Sequence, residues 1–192
     1  MKRVFLFSLV LIAAAFSANA QQDINRPQTS ADVGTAPIQK GNWMIGGSIG
    51  SIGYSFESEN FNIGITPKAG YFVSDGLAVG LQLDGGYQSV KSEEDIWNYG
   101  IAPFVRYYFP RGASASGRFF AHGNIGIAGS QPGDGAAFAF GLNLGYAHFI
   151  TKSVALELTA GYNYSEAHDA YGDKQSGLGA ALGFQIYLPG QH

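Results

Sequence analysis

From Gly41 onward, apolar and polar or small residues alternate with a period of two. Between Ser153 and Ser165 the even positions are Val154, Leu156, Leu158, Ala160, Tyr162 and Tyr164, and the odd ones Ala155, Glu157, Thr159, Gly161 and Asn163. Such alternation places successive side chains on opposite faces of a strand. It predicts eight strands, over 42–55, 60–73, 76–89, 96–109, 118–130, 136–150, 153–165 and 176–188. The phase of the first blurs around Gly50, which marks a bulge there. Strands this long exceed the usual mode of about 5–6 residues and suit a tilted membrane crossing, which takes about 9–11. Short connections, such as Val73-Ser74-Asp75-Gly76 and Thr151-Lys152-Ser153, join them; the longest runs from Glu166 to Gln175. The expected fold is all-β, an eight-stranded antiparallel up-and-down transmembrane β-barrel.

The hairpins echo each other. Residues 70–87 and 145–162 both begin and end in Gly-Tyr and agree at 7 of 18 positions. Duplication and convergence on a common hairpin pattern explain this equally well.

The first forty residues do not share the period. Lys2 and Arg3 precede an apolar run from Val4 to Phe16, and Ala18-Asn19-Ala20 offers a small-x-small cleavage pattern. This is a signal peptide over 1–20, too short to span a bilayer as a helix. Residues 21–40 are polar, contain two prolines and read as a flexible periplasmic arm, leaving 41–192 for the barrel.

Composition decides which face of the sheet is wet. Charged residues make up 13% of the chain, against an ordinary ~25%. Of 25 charges only Lys68, Asp84, Arg106 and Glu157 fall within strand interiors. A soluble barrel needs an outer surface roughly 25–35% charged, so the apolar face must point outward into lipid. There are no cysteines, which excludes disulfides and Cys-ligated metals, and a net charge of −3 provides no basic footprint for nucleic acid. The outward aromatics sort by strand end. Phe61, Tyr87, Trp97, Tyr99, Phe138, Tyr162 and Tyr164 gather at one end, and Trp43, Tyr71, Tyr107, Phe109, Phe119 and Tyr146 at the other. Two aromatic girdles flanking an aliphatic band is the layout of a membrane barrel.

Ile101-Ala102-Pro103-Phe104-Val105-Arg106-Tyr107-Tyr108-Phe109, the Gly70-Tyr71 and Gly145-Tyr146 hairpins and the final Gly183-Phe184-Gln185-Ile186-Tyr187-Leu188 carry a resemblance. The chain resembles the small eight-stranded outer-membrane β-barrel proteins of Gram-negative bacteria, the OmpA and OmpX type. The resemblance implies residence in the cell outer membrane, contact with outer-membrane lipid and lipopolysaccharide, insertion by the barrel-assembly machinery, and a monomer. It also implies periplasmic termini, with the longer loops outside. Those loops carry nine acidic residues against two basic ones, including Glu166, Asp169 and Lys174; Asp75, Arg111, Arg118 and Lys152 belong to the periplasmic turns. An acidic rim of this kind solvates the loops or holds divalent cations against lipopolysaccharide phosphates. The family's last strand usually ends in an aromatic residue, whereas here Pro189-Gly190-Gln191-His192 follow Leu188.

With that orientation, the inward parity is small in its outer half and bulky below. Phe72, Phe104, Tyr108, Phe120, Phe149 and Tyr187 form an aromatic plug, and Lys68, Asp84, Arg106 and Glu157 should pair into a charge network above it. Eight strands leave an interior just wide enough for side chains to fill it. The expected result is a lumen closed below, with a wet pocket opening outward.

The same sequence argues against catalysis. His168, with Ser165 and Asp169, is the one Ser/His/Asp grouping, and it lies in a loop. No catalytic, cofactor-binding or metal-ligating residue is assigned, and no cofactor is called for. A structural or surface-interaction role is therefore expected. A small passive channel, a lipid A-modifying enzyme and a soluble secreted ligand-binding barrel are the alternatives.

Overall fold

The computed structural model describes residues 36–55, 60–89, 95–109, 116–131, 135–168 and 174–190, with side chains described except at 51–55, 60–62, 167–168 and 174–175. The expected signal peptide (1–20), residues 21–35, Asp169 and the terminal His192 lie outside the described residues. The strands are β1 (Trp43–Ser55), β2 (Asn60–Ser74), β3 (Leu77–Ser89), β4 (Ile96–Tyr108), β5 (Gly117–Gln131), β6 (Ala136–Phe149), β7 (Val154–His168) and β8 (Lys174–Leu188). Each pairs antiparallel with the next, and β8 returns to β1, so the sheet closes into an eight-stranded barrel. The closing seam runs from Trp43 opposite Leu188 to Gly50 opposite Ala181. In β1 the register against β2 shifts between Gly50 and Gly53, where the loss of period predicts a bulge.

Three charges sit differently from expectation. Glu166 and Lys174 belong to β7 and β8, which run further into the last hairpin than their alternation indicates. Arg118 is in β5 and buried, not in a turn, and its Nη1 donates to the Gly117 carbonyl at 2.9 Å. It lies on the same parity as Phe120 and so enters the barrel end.

The arm is also corrected over its last residues. Ala36–Ile38 form a 3-10 turn with Pro37 and Ile38 buried. The Asp75-Gly76 hairpin docks on it. Gly76 adopts φ +74, a conformation that strains side chains bearing a Cβ, and its N–H donates to the Ile38 carbonyl at 2.8 Å. The Lys40 N–H donates to Asp75 Oδ1 at 2.8 Å. Asn42 then ties both ends of the chain together. Its Nδ2 donates to the Ala36 carbonyl at 2.9 Å, and its Oδ1 accepts from the Gly190 N–H at 3.1 Å. An apolar Pro-Ile pair in a polar segment has no period to betray it, which is why alternation missed this cap.

The outer surface is apolar. Ile65, Leu81, Leu83, Ile125, Ile127, Leu142, Leu144 and Leu158 are all exposed, Leu142 at 65% and Leu144 at 64%. Aromatic pairs mark the band's two ends: Trp43–Tyr71 (5.1 Å between ring centroids) and Phe119–Tyr146 (5.0 Å) at one, Tyr87–Trp97 (4.8 Å) and Phe140–Tyr164 (5.3 Å) at the other. Trp97, Tyr99, Tyr107, Phe109, Phe138 and Tyr162 are also exposed on this face. The side chain of Phe61 lies outside the described residues. Phe140, absent from the expected girdles, joins the second. A contiguous apolar surface of this extent is solvated by hydrocarbon, not by water.

Candidate functional site

The lumen is where polar chemistry concentrates, because β-alternation sends every second side chain there. Its lower half is filled. Phe72, Phe104, Tyr108, Phe120, Phe149 and Tyr187 are each no more than 3% exposed and form one buried cluster with Met44 and Ile38. Ring centroids lie 5.3 Å apart for Phe149–Tyr187, 5.4 Å for Tyr108–Phe120 and 6.0 Å for Phe72–Tyr108. Glycines on facing strands admit these rings. A Cβ on Gly80 would stand 2.6 Å from the end of the Phe104 ring, and one on Gly145 would collide with the Phe120 ring. This is where the glycine excess acts sterically.

Above the rings lies a continuous polar relay. Arg106 Nη1 donates to both carboxylate oxygens of Glu157, at 2.8 and 2.9 Å, and to the Tyr108 hydroxyl at 3.1 Å. The guanidinium rests 4.2 Å from the Phe120 ring centroid, a cation–π contact. Glu157 Oε1 also lies within hydrogen-bond reach of the Tyr108 and Tyr187 hydroxyls, which are 2.7 Å from each other. Arg106 Nε donates to His122 Nδ1 at 3.3 Å. That assignment leaves the proton on Nε2, which donates to Gln82 Oε1 at 3.0 Å. Gln82 Nε2 in turn donates to Asp84 at 3.2 and 3.3 Å, and the Thr66 hydroxyl donates to the same carboxylate at 2.9 Å. The relay crosses β7, β4, β5, β3 and β2.

Three of the four luminal charges singled out in the sequence, Asp84, Arg106 and Glu157, therefore share one network. Only Arg106 and Glu157 are in direct ionic contact. Lys68 stands apart, as a correction to the expected four-way pairing: its Nζ reaches Ser48 Oγ at 3.5 Å and makes no ion pair with Asp84. The reason is reach: neutral Gln82 lies directly opposite Lys68 on β3, and Asp84 is turned to Gln82 and Thr66. Gln82 and His122 connect the charged residues, a role that the placement of charges in the sequence does not indicate. Parity carries the signal, since Gln82 alternates in phase with Asp84, and His122 with Phe120 and Asn124. Deeper still, Gln185 is fully buried with neither amide atom hydrogen-bonded, and Arg106 Nη2 likewise has no protein acceptor.

The upper half of the lumen is an open cup of about 620 Å³, lined by Lys68, Asp84, Asn98, Asn124, Asn143, Asn163 and Thr159 among others. Its mouth is at the barrel end opposite the 3-10 turn. Among the described residues no three His, Asp or Glu side chains gather as a metal site would. His148 faces outward and stacks on Tyr146 at 6.4 Å. The side chain of His168 and the whole of Asp169 lie outside the described residues, so the Ser165 grouping has no geometry to report.

No family model matches this sequence, and no curated protein matches it either. Solved structures do. Neisserial surface protein A is matched with a TM-score of 0.56 at 15% identity, covering 77% of this chain and 97% of that one. The outer membrane protein OprG of Pseudomonas aeruginosa is matched at 0.50 and 10% identity, covering 79% and 97%. The N-terminal β-barrel domain of Pseudomonas aeruginosa OprF is matched at 0.50 and 11% identity, covering 78% and 98%. At such identities the likeness concerns architecture, and it spans nearly the whole of each matched barrel. The chain has the fold of the small eight-stranded outer-membrane β-barrel proteins.

Proposed function

We propose that the chain is an integral barrel of the outer membrane, exported by its N-terminal signal, with a structural or surface-interaction role and not a solute-conducting one. The observation that supports this reading is the lower lumen, where six aromatic side chains and the Arg106–Glu157 pair are packed and almost wholly buried. The exposed aliphatic band contacts outer-membrane lipid, the girdles sit at its two interfaces, and the outward rim meets lipopolysaccharide. Insertion is by the barrel-assembly machinery, and the closed sheet has no free edge to recruit a second copy.

A liposome-swelling assay with small sugars tests the closed lumen. Vesicles carrying heat-modifiable, folded protein should swell no faster than empty ones. Rapid swelling would replace this reading with the passive channel.

A further inference from the structure

The cup above the relay has two chemically distinct walls. On β2 and β3 stand Lys68 and Asp84. Asp84 accepts from the Gln82 amide and the Thr66 hydroxyl, and the buried Glu157 accepts from Arg106 and two tyrosines. Lys68 carries three N–H donors and a single contact at the outer limit of hydrogen-bond length. Arg106, which also lines the cup, keeps a buried Nη2 with no acceptor. Among the charged groups of the cup, Lys68 is therefore the one with the most hydrogen-bonding capacity left unused.

The other wall, on β5, β6 and β7, is neutral and amide-rich. Asn124, Asn143 and Asn163 converge over Gly141. A Cβ there would lie 2.5 Å from Asn124 Oδ1, 2.5 Å from Asn163 Oδ1 and 3.3 Å from Asn143 Nδ2. Asn143 Nδ2 donates to Asn163 Oδ1 at 3.4 Å. Clustered amides offer paired donors and acceptors, the complement of vicinal hydroxyls.

We infer that the cup is a binding site for a small hydroxylated carboxylate, a free solute of the sugar-acid class, with Lys68 taking the carboxylate and the asparagine amides taking the hydroxyls. A cup of about 620 Å³ accommodates one such ring together with its water. The site lies above the plug and does not depend on the lumen being closed beneath it.

The test is calorimetric titration of detergent-solubilised, folded protein with galacturonate, galactose and acetate. Galacturonate should bind saturably, and the other two at least tenfold more weakly, since each lacks one half of the recognised chemistry. Lys68→Met should weaken galacturonate roughly tenfold or more, the loss expected of one charge-assisted hydrogen bond, while Lys68→Arg retains binding. Asn163→Leu should weaken galacturonate and leave acetate unchanged. Absence of saturable binding, equal affinity for galactose, or galacturonate binding untouched by Lys68→Met would overturn the proposal. If Lys68→Met does not migrate as a folded barrel, the comparison of three ligands on the unaltered protein decides alone. Swelling of liposomes, the test of the closed lumen, is read independently of this titration.

Discussion

Arg106 on β4 and Glu157 on β7 meet inside the barrel, with one guanidinium nitrogen 2.8 and 2.9 Å from the two carboxylate oxygens, although the strands that carry them are not neighbours in the sheet. Both side chains are almost fully inaccessible, at 0% and 2% exposure. The pair therefore acts as a strut between opposite walls, and its energetics are those of a buried ion pair. Desolvation opposes it, and its hydrogen bonds to Tyr108, Tyr187 and His122 offset that cost.

Removing one partner should cost more than removing both. Glu157→Gln leaves a guanidinium buried without its counter-charge, and a loss of about 3–5 kcal/mol is expected. Arg106→Met combined with Glu157→Leu should recover much of that loss. Urea unfolding in vesicles, followed by heat-modifiable gel migration, measures both; a double variant less stable than Glu157→Gln would refute the buried-pair reading.

The plug depends on absent side chains as much as on present ones. Gly145→Val drives two methyl groups into the Phe120 ring, which has no free space on that side. Overpacking of this kind costs about 1–3 kcal/mol. Pairing it with Phe120→Leu should restore part of the loss, because the smaller side chain vacates the space. The same unfolding assay reads it.

His122 joins the Arg106–Glu157 pair to the Gln82–Asp84 segment through both ring nitrogens. His122→Leu strands the buried Gln82 amide oxygen and the Arg106 Nε proton, and a destabilisation of about 1–3 kcal/mol is expected. A combined His122→Leu and Gln82→Leu variant should be about as stable as the single one: the second substitution removes the stranded amide oxygen, and water in the cup replaces the donor that Asp84 loses. Unfolding midpoints of the three proteins decide it.

Leu144 and Asn143 are adjacent on β6 and point to opposite faces, Leu144 into the exposed band and Asn143 into the cup. Leu144→Arg should therefore destabilise the folded barrel by about 2–4 kcal/mol in vesicles, as a cation in the lipid-facing band does. Asn143→Arg, reaching water in the cup, should change stability far less. Equal effects at the two positions would contradict the assignment of faces.

How these features read in the sequence follows from what alternation can and cannot encode. Period two assigned the strands to within a few residues, and the blurred phase at Gly50 coincides with the observed register shift. Parity also sent Lys68, Asp84, Arg106 and Glu157 to one face. It could not state which of them would touch. That depends on strand tilt and stagger around a closed sheet, which bring β4 to β7 across the lumen and set neutral Gln82 opposite Lys68. Polar residues of no net charge, such as Gln82, escape a reading by charge for the same reason. A network of four charges looked complete without them, although a relay between charges that do not touch requires such intermediaries. The Ala36–Ile38 cap escaped because three residues in a 3-10 turn carry no periodic signal.

The central claim is that aromatic rings and one ion pair close the lumen beneath an open cup. Planar-bilayer recording tests it most directly, comparing the unaltered protein with the Tyr108→Ala, Tyr187→Ala double variant. The account predicts no stable conductance steps from the unaltered barrel and discrete steps once both rings are removed. Stable steps of equal size from both proteins would contradict it.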